Sequence, residues 1–202
     1  MELNLIVAGV GGQGSVLASH IIAESAISQG LKARVGETFG AAMRGGAVAS
    51  HVRIGDVSAP LVQKGKADAI LALEPLEGLR VGVDYLSPTG IVILNTRPIP
   101  PVDVSVGIFS YPDIEEIISI LSAIGKRVYH FDATELAIAA GNYRTLNSVI
   151  LGAFSTSEAF PFQPEVLLES ISSRVPPSSK DANEKAFNLG REKMEELREK
   201  NK

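Results

Sequence analysis

The sequence contains no cysteine and no tryptophan, and only 5% of its 202 residues are aromatic. Without cysteine the chain has no disulfide bonds, no thiolate nucleophile and no cysteine ligands for an iron–sulfur cluster. Its three histidines, His20, His51 and His130, are too far apart in the sequence to indicate a zinc site. The scarcity of aromatic side chains also argues against a surface that stacks the bases of single-stranded nucleic acid.

Charge and hydropathy exclude two further classes of protein. The net charge is −4, so the chain lacks the positive surface of a nucleic-acid-binding protein. No apolar run reaches the roughly 18–20 residues that cross a bilayer, and the first residues carry no basic region of a signal peptide. Hydrophobic residues make up 45% of the chain, which is enough for a substantial core. We therefore expect a cytoplasmic protein that binds neither nucleic acid nor membranes.

Along the chain, short apolar runs typical of strands alternate with stretches of helical periodicity, and this order predicts an α/β fold. We expect a mainly parallel Rossmann-like sheet with helices on both faces. Residues 47–54 and 56–62 are predicted to form a small β insert, a hairpin that turns at Gly55-Asp56. The other predicted strands are 3–10, 31–35, 67–73, 90–94, 104–109 and 128–131. The predicted helices after the first are 75–83, 113–124, 133–140, 146–160, 164–173 and 180–199.

The chain is predicted to end in C-terminal helices that pack on the main domain. Pro176-Pro177 separates a Rossmann-like domain, residues 1–175, from a helical extension, residues 176–202. In that extension Phe187, Gly190 and Met194 share one stripe. The helix predicted at 146–160 is apolar on more than one face, which indicates either deep burial or cover by a partner subunit.

A glycine-rich turn is the first candidate binding site. Gly9, Gly11, Gly12, Gln13 and Gly14 follow a strand and open a helix, which is the setting of a phosphate-binding turn. Glu37 lies past the second predicted strand, roughly where an acid that binds a ribose would stand. The alternative is a structural turn with no ligand, which can face a partner subunit.

A second candidate is the run Arg44-Gly45-Gly46. An arginine beside two glycines can offer a guanidinium and bare N–H groups to an anion. The alternative is a tight turn in which Arg44 pairs with Glu37. We interpret His51 as a packed histidine, and no catalytic residue and no metal ligand are predicted. Four acids are interpreted as solvated charges and helix caps: Asp68, Glu74, Glu77 and Asp84.

Several ordered blocks of the sequence resemble a known family. They are 9–14, 36–46, 50–55, 73–80, 85–88, 95–96 and 183–190. These blocks are similar to the gamma-type subunits of pyruvate/ketoisovalerate ferredoxin oxidoreductases, and within that family to the indolepyruvate enzymes.

The resemblance implies one subunit of a heteromeric complex that oxidatively decarboxylates 2-oxoacids, such as indolepyruvate and other aryl pyruvates. The products are acyl-CoA and carbon dioxide, coenzyme A is the co-substrate, and electrons pass to ferredoxin. Thiamine diphosphate and iron–sulfur clusters belong to a large companion subunit, so the chain alone is inactive. The residues agree, because cysteine is absent and so is the Gly-Asp-Gly run typical of thiamine diphosphate sites. Two other hypotheses remain: an independent dinucleotide-dependent enzyme, and a structural assembly module.

Overall fold

The computed structural model describes residues 2–40 and 46–200, and its centre is a six-stranded sheet. The strands lie in the order β2-β3-β1-β4-β5-β6. They are β1 Leu3–Val10, β2 Ala33–Phe39, β3 Ala47–Ile54, β4 Ala67–Ala72, β5 Leu86–Asn95 and β6 Arg127–Phe131. The helices are α1 Ser15–Ser28, α2 Pro75–Tyr85, α3 Val102–Ser105, α4 Ile114–Ile124, α5 Ala133–Ala139, α6 Leu146–Ser155, α7 Pro164–Arg174 and α8 Lys180–Lys200.

Only one strand runs against the others, so the prediction of a mainly parallel sheet is confirmed. β1, β4, β5 and β6 pair in parallel, whereas β3 is antiparallel to both of its neighbours, β1 and β2. The carboxyl ends of β1, β2, β4, β5 and β6 therefore meet at one edge of the sheet, which we call the carboxyl edge. In open α/β sheets this is the edge at which ligands bind.

The antiparallel part of the sheet differs from the predicted insert. β3 pairs with β2, from Ala33↔Ile54 to Phe39↔Val48, and not with residues 56–62. β2 also begins and ends later than predicted, because backbone pairing continues through Gly36 after the apolar pattern of 31–35 has stopped. The strand predicted at 104–109 is wrong as well, since the chain there forms the short helix α3 and a turn.

Helices cover both faces of the sheet, as predicted. Alternate residues of β1 face opposite ways, Leu5 and Val7 towards one core and Ile6 and Ala8 towards the other. The first core is closed by α1 and α5 to α8, and the second by α2 and α4. Among the described residues, no helix combines the length and apolar character that crossing a bilayer requires.

The buried helix α6 is covered by the chain's own last helix. All ten of its residues are buried, and the helix ends at Ser155, not at Phe160. A Cβ atom on Gly152 would overlap the carbonyl oxygen of Phe187, and one on Gly190 would overlap that of Val149. The two glycines therefore let α6 and α8 touch backbone to backbone. Deep burial is the correct interpretation, and no partner is needed to cover α6; the division at residue 175 stays a prediction.

Candidate functional site

The glycine turn between β1 and α1 is held by the side chain of Gln13. Its Oε1 accepts the backbone N–H of Val10 at 2.8 Å, and its Nε2 donates to the carbonyl oxygen of Leu73 at 2.9 Å. Gly9 lies inside β1, where a Cβ atom would stand 2.7 Å from Oε1 of Gln13. Gly9 and Gln13 therefore have a structural role. Because Gly9 has no side chain, the side chain of Gln13 can fold back against it.

Asn95 completes this frame from the end of β5. Its buried Nδ2 donates to the same carbonyl oxygen of Leu73 at 2.9 Å and to Oγ1 of Thr134 at 3.1 Å. Its Oδ1 accepts the backbone N–H of Ala133 at 3.0 Å. The ends of β1, β4 and β5 and the start of α5 are thus joined by side-chain amides, and the carboxyl edge is rigid around the glycine turn.

The amino end of α1 opens into a shallow pocket of about 520 Å³. Gly14 is the N-cap with φ of 83°, and no side chain of the described residues caps the helix. N–H groups in the first turn of a helix have no partner within it, and they carry partial positive charge. The Gly11 N–H is engaged, since it donates to the carbonyl oxygen of Gly46 at 2.9 Å. Phe39, Gly40 and Val48 form the opposite wall.

A second pocket, of about 320 Å³, lies on the other side of the glycine turn, and we call it the arginine cleft. Its walls are formed by residues 10–13 on one side and by residues around two arginines on the other: Arg97, Ile99, Thr134, Tyr143, Arg144 and Leu146. The two pockets share Gly11 and Gly12. Both sides of the predicted turn therefore border open space at the carboxyl edge.

The two arginines of the cleft differ in their partners. Arg97 donates through Nε and Nη2 to Oδ2 of Asp132, at 3.0 and 2.5 Å. Arg144 pairs with no carboxylate among the residues the structure describes; its Nε donates to the Tyr143 hydroxyl at 3.4 Å, and its guanidinium stands 5.8 Å from the ring centroid of Tyr143. An arginine that is charged at every relevant pH and lacks an acidic partner can bind an anion.

Sequence reasoning missed both cleft arginines. Arg97 follows Asn95-Thr96 at the end of β5. Its position directly after a parallel strand could have indicated that it belongs to the site. Arg144 follows Gly141 in a 3-10 turn, Tyr143–Thr145, and no motif surrounds it. Its place beside the glycine turn depends on how α5 packs, which is not a local property of the sequence.

Of the second predicted cluster, Gly46 lies within the described residues and accepts the Gly11 N–H. Arg44 and Gly45 lie outside them, and their anion-binding role stays a prediction. Glu37 lies in β2, not in a loop, with Oε1 3.3 Å from Nε2 of His20. β3 stands between β2 and β1, and the register sets Glu37 opposite Ser50 and Ser50 opposite Val7, so Glu37 is two strand spacings, roughly 10 Å, from Val7 and further from the glycine turn. This distance does not favour a shared nucleotide, although the ribose role stays a prediction.

Two acids interpreted as solvated are buried instead. Glu74 and Glu77 expose only 1% and 5% of their surface. Glu74 caps α2 as expected, since Oε2 accepts the Glu77 N–H at 2.9 Å. Its Oε1 accepts the Tyr111 hydroxyl at 2.5 Å and the Ile99 N–H at 3.2 Å. Burial raises the pKa of Glu77, although Arg80 at 2.6 Å opposes that shift. These acids organise the structure and form no acid–base pair around the cleft.

His51 is a packed histidine, as predicted. It is 1% exposed, its Nδ1 accepts the Val62 N–H at 3.3 Å, and its ring meets that of Tyr85 edge to face. Burial lowers the pKa of His51, which keeps the imidazole neutral. Within residues 2–40 and 46–200, no three His, Asp or Glu side chains are grouped so that they could hold a metal ion.

Comparison with known proteins supports the resemblance over nearly the whole chain. The family model described as pyruvate ferredoxin/flavodoxin oxidoreductase matches residues 4–193. A Pyrococcus horikoshii protein named indolepyruvate oxidoreductase subunit IorB is 44% identical over 198 residues, which cover 97% of this chain and 98% of that protein. A protein of the same name from Archaeoglobus fulgidus is 43% identical over 190 residues, covering 94% of each.

Solved structures share the fold. The gamma subunit of a keto/oxoacid ferredoxin oxidoreductase from Geobacter sulfurreducens superposes with a TM-score of 0.69 at 27% identity, covering 96% of this chain and 99% of that one. A 2-oxoglutarate:ferredoxin oxidoreductase from Magnetococcus marinus gives a TM-score of 0.69 at 24% identity. The match covers 97% of this chain but only 31% of that chain. The same fold thus occurs both as a separate chain and as part of a longer one.

Proposed function

Because the chain belongs to the pyruvate ferredoxin/flavodoxin oxidoreductase family, we propose that it is a subunit of a 2-oxoacid:ferredoxin oxidoreductase. The reaction converts a 2-oxoacid and coenzyme A into acyl-CoA and carbon dioxide, and two electrons pass to ferredoxin. The identity of 44% to a protein named as an indolepyruvate oxidoreductase subunit favours indolepyruvate and other aryl pyruvates as substrates.

The redox groups of such a complex do not fit this chain. Its sequence has no cysteine, and the described residues include no cluster of histidines and acids that could replace thiolates. It also has no Gly-Asp-Gly run for the diphosphate of thiamine diphosphate. We assign the iron–sulfur clusters and thiamine diphosphate to a large companion subunit.

The role of this chain is to bind an anionic group beside the active site of the companion. The observation that carries this role is Arg144, a guanidinium without an acidic partner among the described residues, in the same cleft as Gly11, Gly12 and Gln13. The reaction supplies suitable anions: the carboxylate of the 2-oxoacid and the phosphates of coenzyme A and thiamine diphosphate. Charged hydrogen bonds from a guanidinium are stronger than neutral ones, so one arginine can orient such a group.

The remaining predicted residues extend the same proposal. Gly14 and the start of α1, which no described side chain caps, offer N–H groups to an anion in the neighbouring pocket. Arg44, Gly45 and Gly46 come after β2 and before β3 in the sequence, between Gly40 and Val48, which both line that pocket. We propose that Arg44 adds a second cation there.

An independent dinucleotide-dependent enzyme is less well supported. In the nucleotide-binding fold the acid that holds the ribose follows the strand next to β1. Here the neighbours of β1 are β3 and β4, and Glu37 pairs with His20. A purely structural module would not need an arginine left without an acidic partner in a cleft.

Purification with the companion subunit tests the proposal. Co-expressed with the thiamine diphosphate subunit of the same genome, the chain is expected to co-purify with it. The complex should then reduce ferredoxin with coenzyme A and a 2-oxoacid. Comparing indolepyruvate, phenylpyruvate, pyruvate and 2-oxoglutarate identifies the substrate class. Failure to associate, or a nucleotide retained by the isolated chain at one equivalent, would reject the assignment in favour of the alternative.

A further inference from the structure

The segment between β5 and α4 exposes several large apolar side chains. Val102, Val106, Ile108 and Phe109 expose 74%, 63%, 64% and 66% of their surface, and Ile99 exposes 42%. Single exposed apolar residues are common, but a contiguous group of this size marks an interaction surface. We call residues 99–109 the apolar segment.

The apolar segment is anchored at both ends by one buried carboxylate. Oε1 of Glu74 accepts the Ile99 N–H at 3.2 Å and the hydroxyl of Tyr111 at 2.5 Å. Burying an ionised carboxylate is costly unless donors surround it. These donors and the Glu77 N–H supply the compensation. The Tyr111 hydroxyl also accepts the Leu76 N–H at 3.1 Å, which ties the anchor to α2.

Internal hydrogen bonds keep the segment compact between its anchors. The Ser105 N–H donates to the carbonyl oxygen of Pro101 at 3.0 Å, and the Ile108 N–H donates to that of Asp103 at 2.9 Å. With the backbone held in this way, the apolar side chains remain on the outside. A surface ordered before binding loses less conformational entropy when a partner covers it.

The position of the apolar segment indicates which side of the molecule a partner would cover. It follows β5 at the carboxyl edge, and Ile99 lines the arginine cleft itself. Two more exposed apolar residues border the pockets of the same edge: Phe39 at the end of β2, 68% exposed, and Tyr143, 61% exposed. Exposed apolar surface therefore surrounds the place where the proposed function puts the shared active site.

We infer that the apolar segment is the docking surface for the companion subunit. The inference rests on the proposed function, in which the redox groups have to face the arginine cleft from another polypeptide. The fold accounts for only 31% of the Magnetococcus marinus chain, so in that protein the same unit is continuous with a much larger body.

Other occupants fit this surface less well. Residues 98–111 contain one charged side chain, Asp103, and the arginine directly before them, Arg97, is already paired with Asp132. Surfaces that bind anionic lipid carry basic residues beside the apolar ones. A second copy of the chain docked on the same surface would set two clefts against each other, and neither copy carries the missing redox groups.

Two substitutions and a matched control test the inference. Val106→Asp and Phe109→Ser change side chains that are already exposed, so their melting temperatures should equal that of the wild type. Val83→Asp is the control, because Val83 is 60% exposed near the end of α2, at the opposite edge of the sheet. Affinity for the purified companion subunit is measured by titration calorimetry, and ferredoxin reduction is measured at fixed companion concentration.

We expect Val106→Asp and Phe109→Ser to weaken companion binding by at least tenfold, because the first puts a charge and the second removes a large aromatic contact in the proposed interface. Activity should recover when the companion is added in excess, and Val83→Asp should match the wild type. Unchanged binding by both variants, in a wild type that does form an active complex, would overturn this inference alone. Wild-type self-association, or flotation with phosphatidylglycerol vesicles, abolished by Val106→Asp would also overturn it. A wild type that does not bind the companion at all would reject the proposed function itself.

Discussion

The side-chain amides of Gln13 and Asn95 donate to one acceptor, the carbonyl oxygen of Leu73, each at 2.9 Å. Gln13 comes from the turn after β1, Asn95 from the end of β5, and Leu73 from the end of β4 between them. Three neighbouring parallel strands are thus joined just below the arginine cleft. The glycine turn is held by this arrangement before any ligand arrives, which suits a binding surface that has to keep its shape.

Replacing Gln13 with alanine should destabilise the chain by about 1–3 kcal/mol, because it removes an acceptor for the Val10 N–H and a donor to Leu73. Urea denaturation followed by circular dichroism measures the change in the free energy of unfolding. Gln29→Ala is the control, since the Gln29 side chain is exposed and, among the described residues, hydrogen-bonds to Ser28 alone. Equal stability of Gln13→Ala and the wild type would mean that the turn is not held in this way.

Arg144→Ala in the assembled complex should raise the KM for coenzyme A or for the 2-oxoacid by about tenfold to a hundredfold, which corresponds to one charged hydrogen bond. Arg144→Lys should restore only part of the loss, because an ammonium lacks the planar fork of the guanidinium. Melting temperature should not change, since Arg144 is exposed. The control is Arg34→Ala, an exposed arginine whose side chain, within the described part of the chain, donates to the neighbouring carbonyl of Ala33.

Arg44→Ala belongs in the same kinetic series. We predict a KM increase of similar size, very roughly tenfold to a hundredfold, with the complex still assembled. If Arg44 instead pairs with Glu37, then Glu37→Gln should have the same effect as Arg44→Ala, and that effect should be a lower free energy of unfolding. Unchanged KM values in both the Arg44 and the Arg144 variants would remove anion binding from the account.

Gly190→Ala should destabilise the fold by about 1–3 kcal/mol or more, because a methyl group at the contact of α8 with α6 meets backbone atoms that cannot move aside easily. Glu184→Ala on the exposed face of α8 is the control, and it should leave the melting temperature nearly unchanged. Leu151→Asp should likewise act on folding, since Leu151 is completely buried within the chain. A Gly190→Ala variant as stable as the wild type would contradict the close helix contact.

His51 should make stability depend on pH in the acid range. Burial lowers its pKa from the ordinary value of 6.5, so the unfolded chain binds a proton more readily than the folded one. The contribution of neutral His51 to stability is therefore complete above pH 6.5. It is lost as the pH falls towards the lower pKa that His51 has in the folded chain. The free energy of unfolding measured from pH 8 to 5 should fall less steeply for His51→Gln than for the wild type. His130→Gln, at an exposed position, should retain the wild-type slope.

Short-range patterns of the sequence predicted those features of the fold that depend on neighbouring residues alone. The glycine turn, the start of α2 at Pro75 and the parallel strands β1, β4 and β6 all follow from short-range signals. The place of β3 between β1 and β2 could not be predicted in this way, because it depends on pairing between distant segments. The segment at 104–109 imitates a strand, since Val104, Val106 and Ile108 alternate. In the structure Val106 and Ile108 are exposed, so the alternation there does not mark the buried face of a strand.

The candidate site was predicted in part. Sequence reasoning identified the turn and assigned ligand binding to Gln13, which lines the cleft and whose amide oxygen and nitrogen each also make one hydrogen bond within the fold. It also took Glu74 for a solvated charge, since nothing near position 74 in the sequence indicates that Ile99 and Tyr111 will surround it. The cleft arginines come from two segments that meet only in the folded chain.

Reconstitution tests the central claim most directly. The chain, the purified companion subunit and their mixture are each assayed for ferredoxin reduction that depends on both a 2-oxoacid and coenzyme A. We predict no turnover by the chain alone, and turnover in the mixture that rises with added chain and saturates at a fixed stoichiometry. Robust turnover by the isolated chain, or full activity of the companion without it, would contradict the account.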